Sequence, residues 1–427
     1  MNVIPAGAIY TVANALSAGV PFLLLPVLTR ALSPSEYGVV VAFFLLVNVS
    51  TAFAGLNVHS AVAVKWFTRN EFDYPRLVGS ALTLALVSTG ACALVLLAAG
   101  FFWHDRLGLP IALWPFAAIA AGAGVVAAVR TSIWQNEQKP LAASAMQVGG
   151  ALLNMALSLV AVLMLALGAL GRIGASLAAS VAIAAVAVGL LVGRDGIRLA
   201  WDRAEVRRLL RYGLPLVPHT LAGVVLASTD RFVVSAKLGA DALGIYGAAA
   251  QLGMFMIVLG DAASKALSPW MYAQLAKRSG WGRLRVVATT YLLIPVWLGA
   301  AVLLWVALLA LGPFLLGPKF QEATHLSLWF LLGGALTASY VNIAGLFFFT
   351  LRSEWLSLAT MSTAAITLVI APLLTAELGL RGAAIAYLIA QAAQLAFSWL
   401  LSLRVQPMPW DRPALALLAL RHSRGRR

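Results

Sequence analysis

The sequence predicts an all-α membrane protein: twelve transmembrane helices in two six-helix bundles, related by a parallel internal repeat, with a central cavity. Three observations predict it. Of 427 residues, 62% are hydrophobic and only 11% are charged, against about 25% charged in a soluble domain. Apolar runs of 18 residues or more recur along the chain, and runs such as 142–167 lack the alternation that a membrane β-barrel requires. Short motifs also recur at an offset of about 206–208 residues.

The spans fall near 6–28, 37–64, 77–102, 111–133, 142–167, 172–193, 213–236, 244–264, 285–311, 325–349, 355–376 and 382–403. Turn and charge signals separate them, among them Ser33-Pro-Ser-Glu, His104-Asp-Arg, Gln138-Lys-Pro and Leu316-Gly-Pro-Lys. Four domains are expected: an N-terminal bundle at 1–193, a linker at 194–212, a C-terminal bundle at 213–403 and a basic tail at 404–427.

Orientation follows from the cations. Assigning loops alternately to two sides puts 23 Lys and Arg on one side, including Arg130, and 6 on the other, including Arg30, Arg106 and Arg172. Arg231 lies inside a span. Cytoplasmic loops carry the excess of Lys and Arg, so both termini are expected in the cytoplasm of a bacterial inner membrane. The net charge of +15 has the same origin; without a basic domain outside the bilayer, no nucleic-acid partner is expected. Cys92 sits in an apolar span and reads as packing. Met1 to Tyr10 carry no Lys or Arg and do not form a signal-peptide n-region.

In the linker, Asp202 with Glu205 three residues on suggests a helix N-cap. Ile197, Trp201, Val206, Leu209 and Leu210 among arginines suggest a short helix on the membrane surface; a solvated basic linker is the competing reading. The tail's apolar patch, 414–420, is too short to span, and its arginines suit anionic lipid.

The repeat pairs Leu32 and Gly38 with Leu238 and Gly244, and Leu170-Gly-x-x-Gly174-Ala with Leu378-Gly-x-x-Gly382-Ala. Each half holds six spans, so both enter from the same side, with a substrate site expected near the midplane between them. Small-residue clusters such as Gly122-Ala-Gly124 and Gly333-Gly-Ala signal close helix packing. Pro21, Pro26, Pro215, Pro218, Pro295 and Pro372 predict kinks. Tyr37, Tyr246, Trp103, Trp114, Trp329 and Trp399, near span ends, read as interfacial anchors.

Charge inside a span is the strongest functional signal, because it costs roughly 2.5–3.5 kcal/mol to insert and calls for a partner or water. Asp230 and Arg231 stand side by side in span 7. Adjacent helical residues point about 100° apart, which allows Arg231 to line the cavity while Asp230 meets a neighbouring helix; a structural charge pair is the alternative. Asp261 and Lys265, four apart, form a favourable helical pair. At the 206 offset Lys265 falls on His59, a second basic-capable group. No G-x-x-x-x-G-K-[ST] loop, zinc-spaced Cys/His cluster or extramembrane catalytic domain is present in the sequence. Neither enzymatic activity, a cofactor nor a metal is expected.

The motifs Thr29-Arg30-Ala-Leu-Ser-Pro-Ser-Glu36-Tyr37-Gly38, Tyr212-Gly-Leu-Pro215 leading to Asp230-Arg231, Leu238-Gly239 with Gly244-Ile-Tyr246, and Leu378-Gly-x-x-Gly382-Ala-Ala carry a resemblance. In this order and spacing the chain resembles the polysaccharide exporters and O-antigen-unit flippases of the multidrug/oligosaccharidyl-lipid/polysaccharide exporter superfamily. The resemblance implies alternating-access transport of an undecaprenyl-diphosphate-linked oligosaccharide to the outer leaflet. Its partners are then that lipid-linked oligosaccharide and membrane lipids, with a polysaccharide polymerase and a chain-length regulator as further candidates. Arg231, Lys265 and His59 become the expected diphosphate ligands, with Asp230, Asp261 and Arg30 as supporting or coupling residues. The competing readings are a cation- or proton-coupled multidrug exporter, which should carry deep acids in the first six spans, and a non-transporting scaffold. Those spans hold acids only in loops: Glu36, Glu71, Asp73, Asp105 and Glu137.

Overall fold

A computed structural model describes residues 3–277, 279–350, 352–415 and 418. Arg278 and most of the basic tail (416, 417 and 419–427) lie outside the described residues. Among the described residues every regular element is helical: α1 (Val3–Ala31), α2 (Pro34–Ala54), α3 (Val58–Lys65), α4 (Tyr74–Leu107), α5 (Trp114–Asn136), α6 (Pro140–Leu159), α7 (Gly168–Gly193), α8 (Arg203–Gly213), α9 (Val217–Ala276), α10 (Gly280–Leu315), α11 (Gln321–Phe349) and α12 (Ser353–Val405).

Local sequence explains where these helices start and stop. Helices α2, α4, α5 and α6 each place a proline in their first turn, where the missing N–H has no intrahelical partner to lose. Ser33 and Glu36 close a reciprocal capping box at the start of α2. The predicted span 37–64 is broken: Leu56 and Asn57 take positive φ values of 45° and 57°, so α2 ends and α3 starts in a new direction. Helix α6 runs into one π-helical turn, Val160–Met164.

Among the described residues ten helices are long and apolar enough to cross a membrane. Two of them are double length: α9, of 60 residues, breaks at Gly239 (φ 86°), and α12, of 53 residues, breaks at Gly379 (φ 60°). Dividing these two at their breaks turns the ten helices into twelve helical stretches, the number expected of the spans. These breaks are backbone geometries that glycine adopts without steric cost.

The chain forms two compact units, Met1–Gly247 with Leu316–Lys319, and Ala248–Leu315 with Phe320–Arg427. In the first, α5 packs against α2, α3, α4 and α7, while α1 lies along α6. Leu77, Val78, Leu82, Val126, Val129 and Leu191 form its core. In the second, α11 packs against both α10 and α12. There Gly333 lies against Tyr387 and Gly334 against Met256, the close approach that small residues permit in lipid.

Residues 235–244 and Gly317 join the rest of the first unit through close glycine–carbonyl packing and hydroxyl hydrogen bonds. Gly38 packs on the Ala240 carbonyl, and Gly244 packs on the Pro34 carbonyl. Ser235 donates its hydroxyl to the Arg106 carbonyl at 3.2 Å, and the Gly317 amide donates to Thr29 Oγ1 at 3.0 Å.

Three expected anchors are instead buried. Trp114 donates its indole N–H to the Leu109 carbonyl at 3.1 Å, and Tyr246 is fully buried, its hydroxyl on Asp230. Tyr37 is buried as well. An aromatic with a polar tip sits at the headgroups only if the protein offers that tip no partner; for Trp114 and Tyr246 it does.

Candidate functional site

Asp230 is buried, 4% exposed, in the first half of α9. Both its oxygens are engaged: Oδ1 accepts from the backbone N–H of Arg231 at 2.8 Å, and Oδ2 accepts from the Tyr246 hydroxyl at 2.7 Å. Tyr246 lies beyond the Gly239 break, so this bond ties the two halves of α9 together. A buried carboxylate left without such donors would be strongly disfavoured.

Arg231 is half-buried, and its guanidinium donates to the Ala227 carbonyl, one turn back, at 2.6 Å. Among the described residues no carboxylate lies within 4.0 Å of it. The neighbouring acid is therefore committed to Tyr246, and the arginine keeps its charge and most of its donors for another partner.

The remaining expected residues sit as follows. Lys265 and Asp261 meet at 2.6 Å, both side chains half exposed, on one face of the second half of α9. His59 lies half-buried in α3, with Nε2 3.2 Å from the Ser60 hydroxyl and a buried Nδ1 that has no partner among the described residues. Arg30 is exposed at the end of α1 and donates to the Pro26 carbonyl at 2.9 Å, as cations near helix C-termini do. The structure thus brings Asp261 and Lys265 together, whereas Asp230 and Arg231 share only a bond through the arginine's backbone amide.

Two buried cations were placed in loops by the charge count. Arg130 lies in α5 with its side chain 1% exposed, 2.7 Å from Asp195 and 4.3 Å from the Trp134 ring centroid. Its N–H groups are not aimed at the carboxylate, so the contact is an ion pair rather than a directed hydrogen bond. Arg172, in α7, is buried; it donates to Asn154 Oδ1 at 2.9 Å and Ser158 Oγ at 3.1 Å, beside the Phe44 ring. A visible signal for Arg130 was Trp134 four residues on, the spacing that stacks side chains on one helix face. Among the described residues no cluster of three or more His, Cys, Asp and Glu could hold a metal ion.

The linker folds as α8. Asp202 caps it by accepting from the Ala204 and Glu205 amides at 2.8 and 3.1 Å, and pairs with Arg76 at 2.7 Å. The Glu205 amide first, then that of Ala204 and the cations Arg76 and Arg208, hold the Asp202 carboxyl below its usual pKa. Glu205 does not complete a capping box; it pairs with Arg208 at 3.0 Å. Val206 and Leu209 insert into the core of the first unit.

A family model described as polysaccharide biosynthesis protein matches residues 6–273, well over half of the chain. A curated relative, the Lsg locus putative protein 1 of Haemophilus influenzae, is 24% identical over 156 residues, covering 35% of this chain and 37% of the relative's length. An inward-facing multidrug resistance MATE family transporter of the MOP superfamily matches with TM-score 0.72 and 17% identity, over 92% of this chain and 94% of that one. The lipid II flippase MurJ in an inward closed conformation matches with TM-score 0.71 and 13% identity, over 98% of this chain and 91% of that one. At these identities both likenesses show a shared fold alone.

Proposed function

This chain belongs to the polysaccharide biosynthesis protein family, and from that membership we propose that it is an alternating-access flippase. Its cargo is an undecaprenyl-diphosphate-linked oligosaccharide, carried from the cytoplasmic to the outer leaflet for assembly of a surface polysaccharide. The observation that carries this reading is Arg231, a half-buried guanidinium on a membrane helix with no carboxylate within 4.0 Å among the described residues, next to an acid already bound by Tyr246.

A diphosphate headgroup is a dianion or more, and a guanidinium offers it paired N–H donors in a fork that matches two phosphate oxygens. Arg231 binds the headgroup; Lys265 and His59 assist, and Asp230, Asp261 and Arg30 support or couple. Lys265 must leave Asp261 to do so. The glycan travels in water-filled space while the prenyl tail stays in lipid. The bundles at 1–193 and 213–403 rock about the linker, and both termini stay in the cytoplasm of the inner membrane. A polysaccharide polymerase and a chain-length regulator receive the product.

The test is complementation of a deletion strain. The strain lacking the protein accumulates lipid-linked oligosaccharide on the cytoplasmic face, the wild-type gene clears it, and Arg231→Ala, present at normal level in the membrane, does not. Normal clearance by Arg231→Ala removes the site assignment. Efflux of cationic dyes without any effect on the lipid-linked oligosaccharide replaces the function itself with multidrug export.

A further inference from the structure

We infer that the outward face of α8 is a binding site for the phosphate headgroups of anionic phospholipids. Arg203, Arg207 and Arg211 follow one another at intervals of four residues and are all exposed, so they form a single ridge along the helix. Among the described residues none of the three guanidiniums makes a hydrogen bond or ion pair. The nearby acids are spent elsewhere: Glu205 on Arg208 at 3.0 Å and Asp202 on Arg76 at 2.7 Å. The ridge is therefore cationic with no internal counter-charge.

Its surroundings point to a lipid rather than to a soluble anion. The ridge borders an open groove of about 890 Å³ that is also lined by Trp201, Leu210 and Leu214. Trp201 is 52% exposed and Leu214 56%. Indole and aliphatic side chains beside arginines are the composition of a membrane–water interface. Connectivity puts the helix there: it lies between α7, which ends at Gly193, and the next membrane-crossing stretch, which starts at Thr220. Its inner face cannot drift away, because Val206 and Leu209 are buried in the first unit and Gly213 packs on the Leu56 carbonyl. The three guanidiniums are thus held at headgroup depth before any lipid arrives, which reduces the ordering cost of binding. Phosphatidylglycerol and cardiolipin supply phosphates for the arginines and acyl chains for the apolar rim.

The full-length protein in detergent, titrated with phosphatidylglycerol, cardiolipin or phosphatidylcholine and read by native mass spectrometry, tests this. Wild type is expected to retain the anionic lipids at least tenfold more tightly than phosphatidylcholine. The Arg203→Gln/Arg207→Gln/Arg211→Gln variant is expected to lose that preference, at about 1 kcal/mol or fivefold per arginine. The corresponding Arg→Lys variant keeps the charge and should keep most of the preference, which separates lost binding from lost folding. Removing Arg421, Arg424, Arg426 and Arg427 instead should leave it intact. Retention of the preference by the glutamine variant, or its loss only on removal of the tail arginines, overturns the assignment. So does equal capture of inorganic pyrophosphate by wild type, which would give the ridge to a soluble anion.

Discussion

Gly38 and Gly244 stand at equivalent places in a crossing that the internal repeat makes reciprocal. The Cβ position of Gly38 is filled by the carbonyl oxygen of Ala240, and that of Gly244 by the carbonyl oxygen of Pro34. Pro34 and Ala240 are separated by the same 206 residues as the two glycines. An added methyl would meet backbone on either side, where no rotamer change relieves it. Gly38→Ala and Gly244→Ala are each expected to destabilise the protein by about 1–3 kcal/mol. Once one methyl has opened the crossing the second costs less, so the double variant should lose less than the sum. Thermal unfolding in detergent measures all three; strictly additive losses would show that the two contacts are independent.

Arg130 and Asp195 form the most buried ion pair among the described residues. Asp195→Asn leaves a guanidinium buried without its counter-charge. The expected loss is about 3 kcal/mol, the lower end for a broken buried pair because Asp195 is one-quarter exposed. Arg130→Met/Asp195→Asn should recover much of that loss, since an apolar side chain of similar length needs no counter-charge. A double variant no more stable than Asp195→Asn alone would assign the loss to something other than an unpaired cation.

Most of the spans were legible in the sequence because lipid imposes a coarse rule, a long apolar run for every crossing; the break at Leu56 and Asn57 inside 37–64 was not. The Gly239 and Gly379 breaks were legible as loops under that rule. Arg130 and Arg172 were not. Counting cations by loop assumes that an arginine near a span end faces water, whereas Arg130 finds Asp195 and Trp134, and Arg172 finds Asn154, Ser158 and Phe44. Trp134 is one turn along the same helix, but Asp195, Asn154, Ser158 and Phe44 are brought near only by the folded chain. Tyr246 was misread for a like reason: its partner, Asp230, is 16 residues away across the helix break. Charges at depth can be found in a sequence; which of them are already satisfied cannot.

The cap of α8 makes the linker sensitive to acid. The Asp202 carboxyl is held below its usual range by the Glu205 and Ala204 amides and by Arg76. A depressed folded-state pKa stabilises the folded form above the unfolded carboxyl value of about 3.9, and that contribution is lost as pH falls through the lower folded value. The amides of residues 203–206 should therefore exchange faster, after correction for intrinsic rates, as pH falls below about 4. In Asp202→Asn the same amides should show little pH dependence in this window. Equal pH dependence in both proteins would assign the change to another carboxyl.

The bond between Tyr246 and Asp230 separates two roles for the charges in α9. With the hydroxyl in place, Asp230 is held at 2.7 Å by Tyr246 and does not neutralise the Arg231 guanidinium. Tyr246→Phe removes one donor and leaves Oδ2 of a buried carboxylate unsatisfied, a loss of about 1–3 kcal/mol. The nearest remedy is rotation of Asp230 toward Arg231, which would tie up the proposed headgroup ligand. Tyr246→Phe should then lower transport more than stability alone accounts for, and Tyr246→Phe/Asp230→Asn should restore part of it, because the amide carries no charge to compete for Arg231. Arg231→Lys should transport less than wild type but more than Arg231→Gln, since an ammonium keeps the charge and loses the fork. Appearance of lipid-linked oligosaccharide in the outer leaflet, measured at matched protein level, gives the ranking. If Tyr246→Phe/Asp230→Asn transports no better than Tyr246→Phe, Asp230 is not competing for the arginine, and the tyrosine acts only by holding the two halves of α9 together.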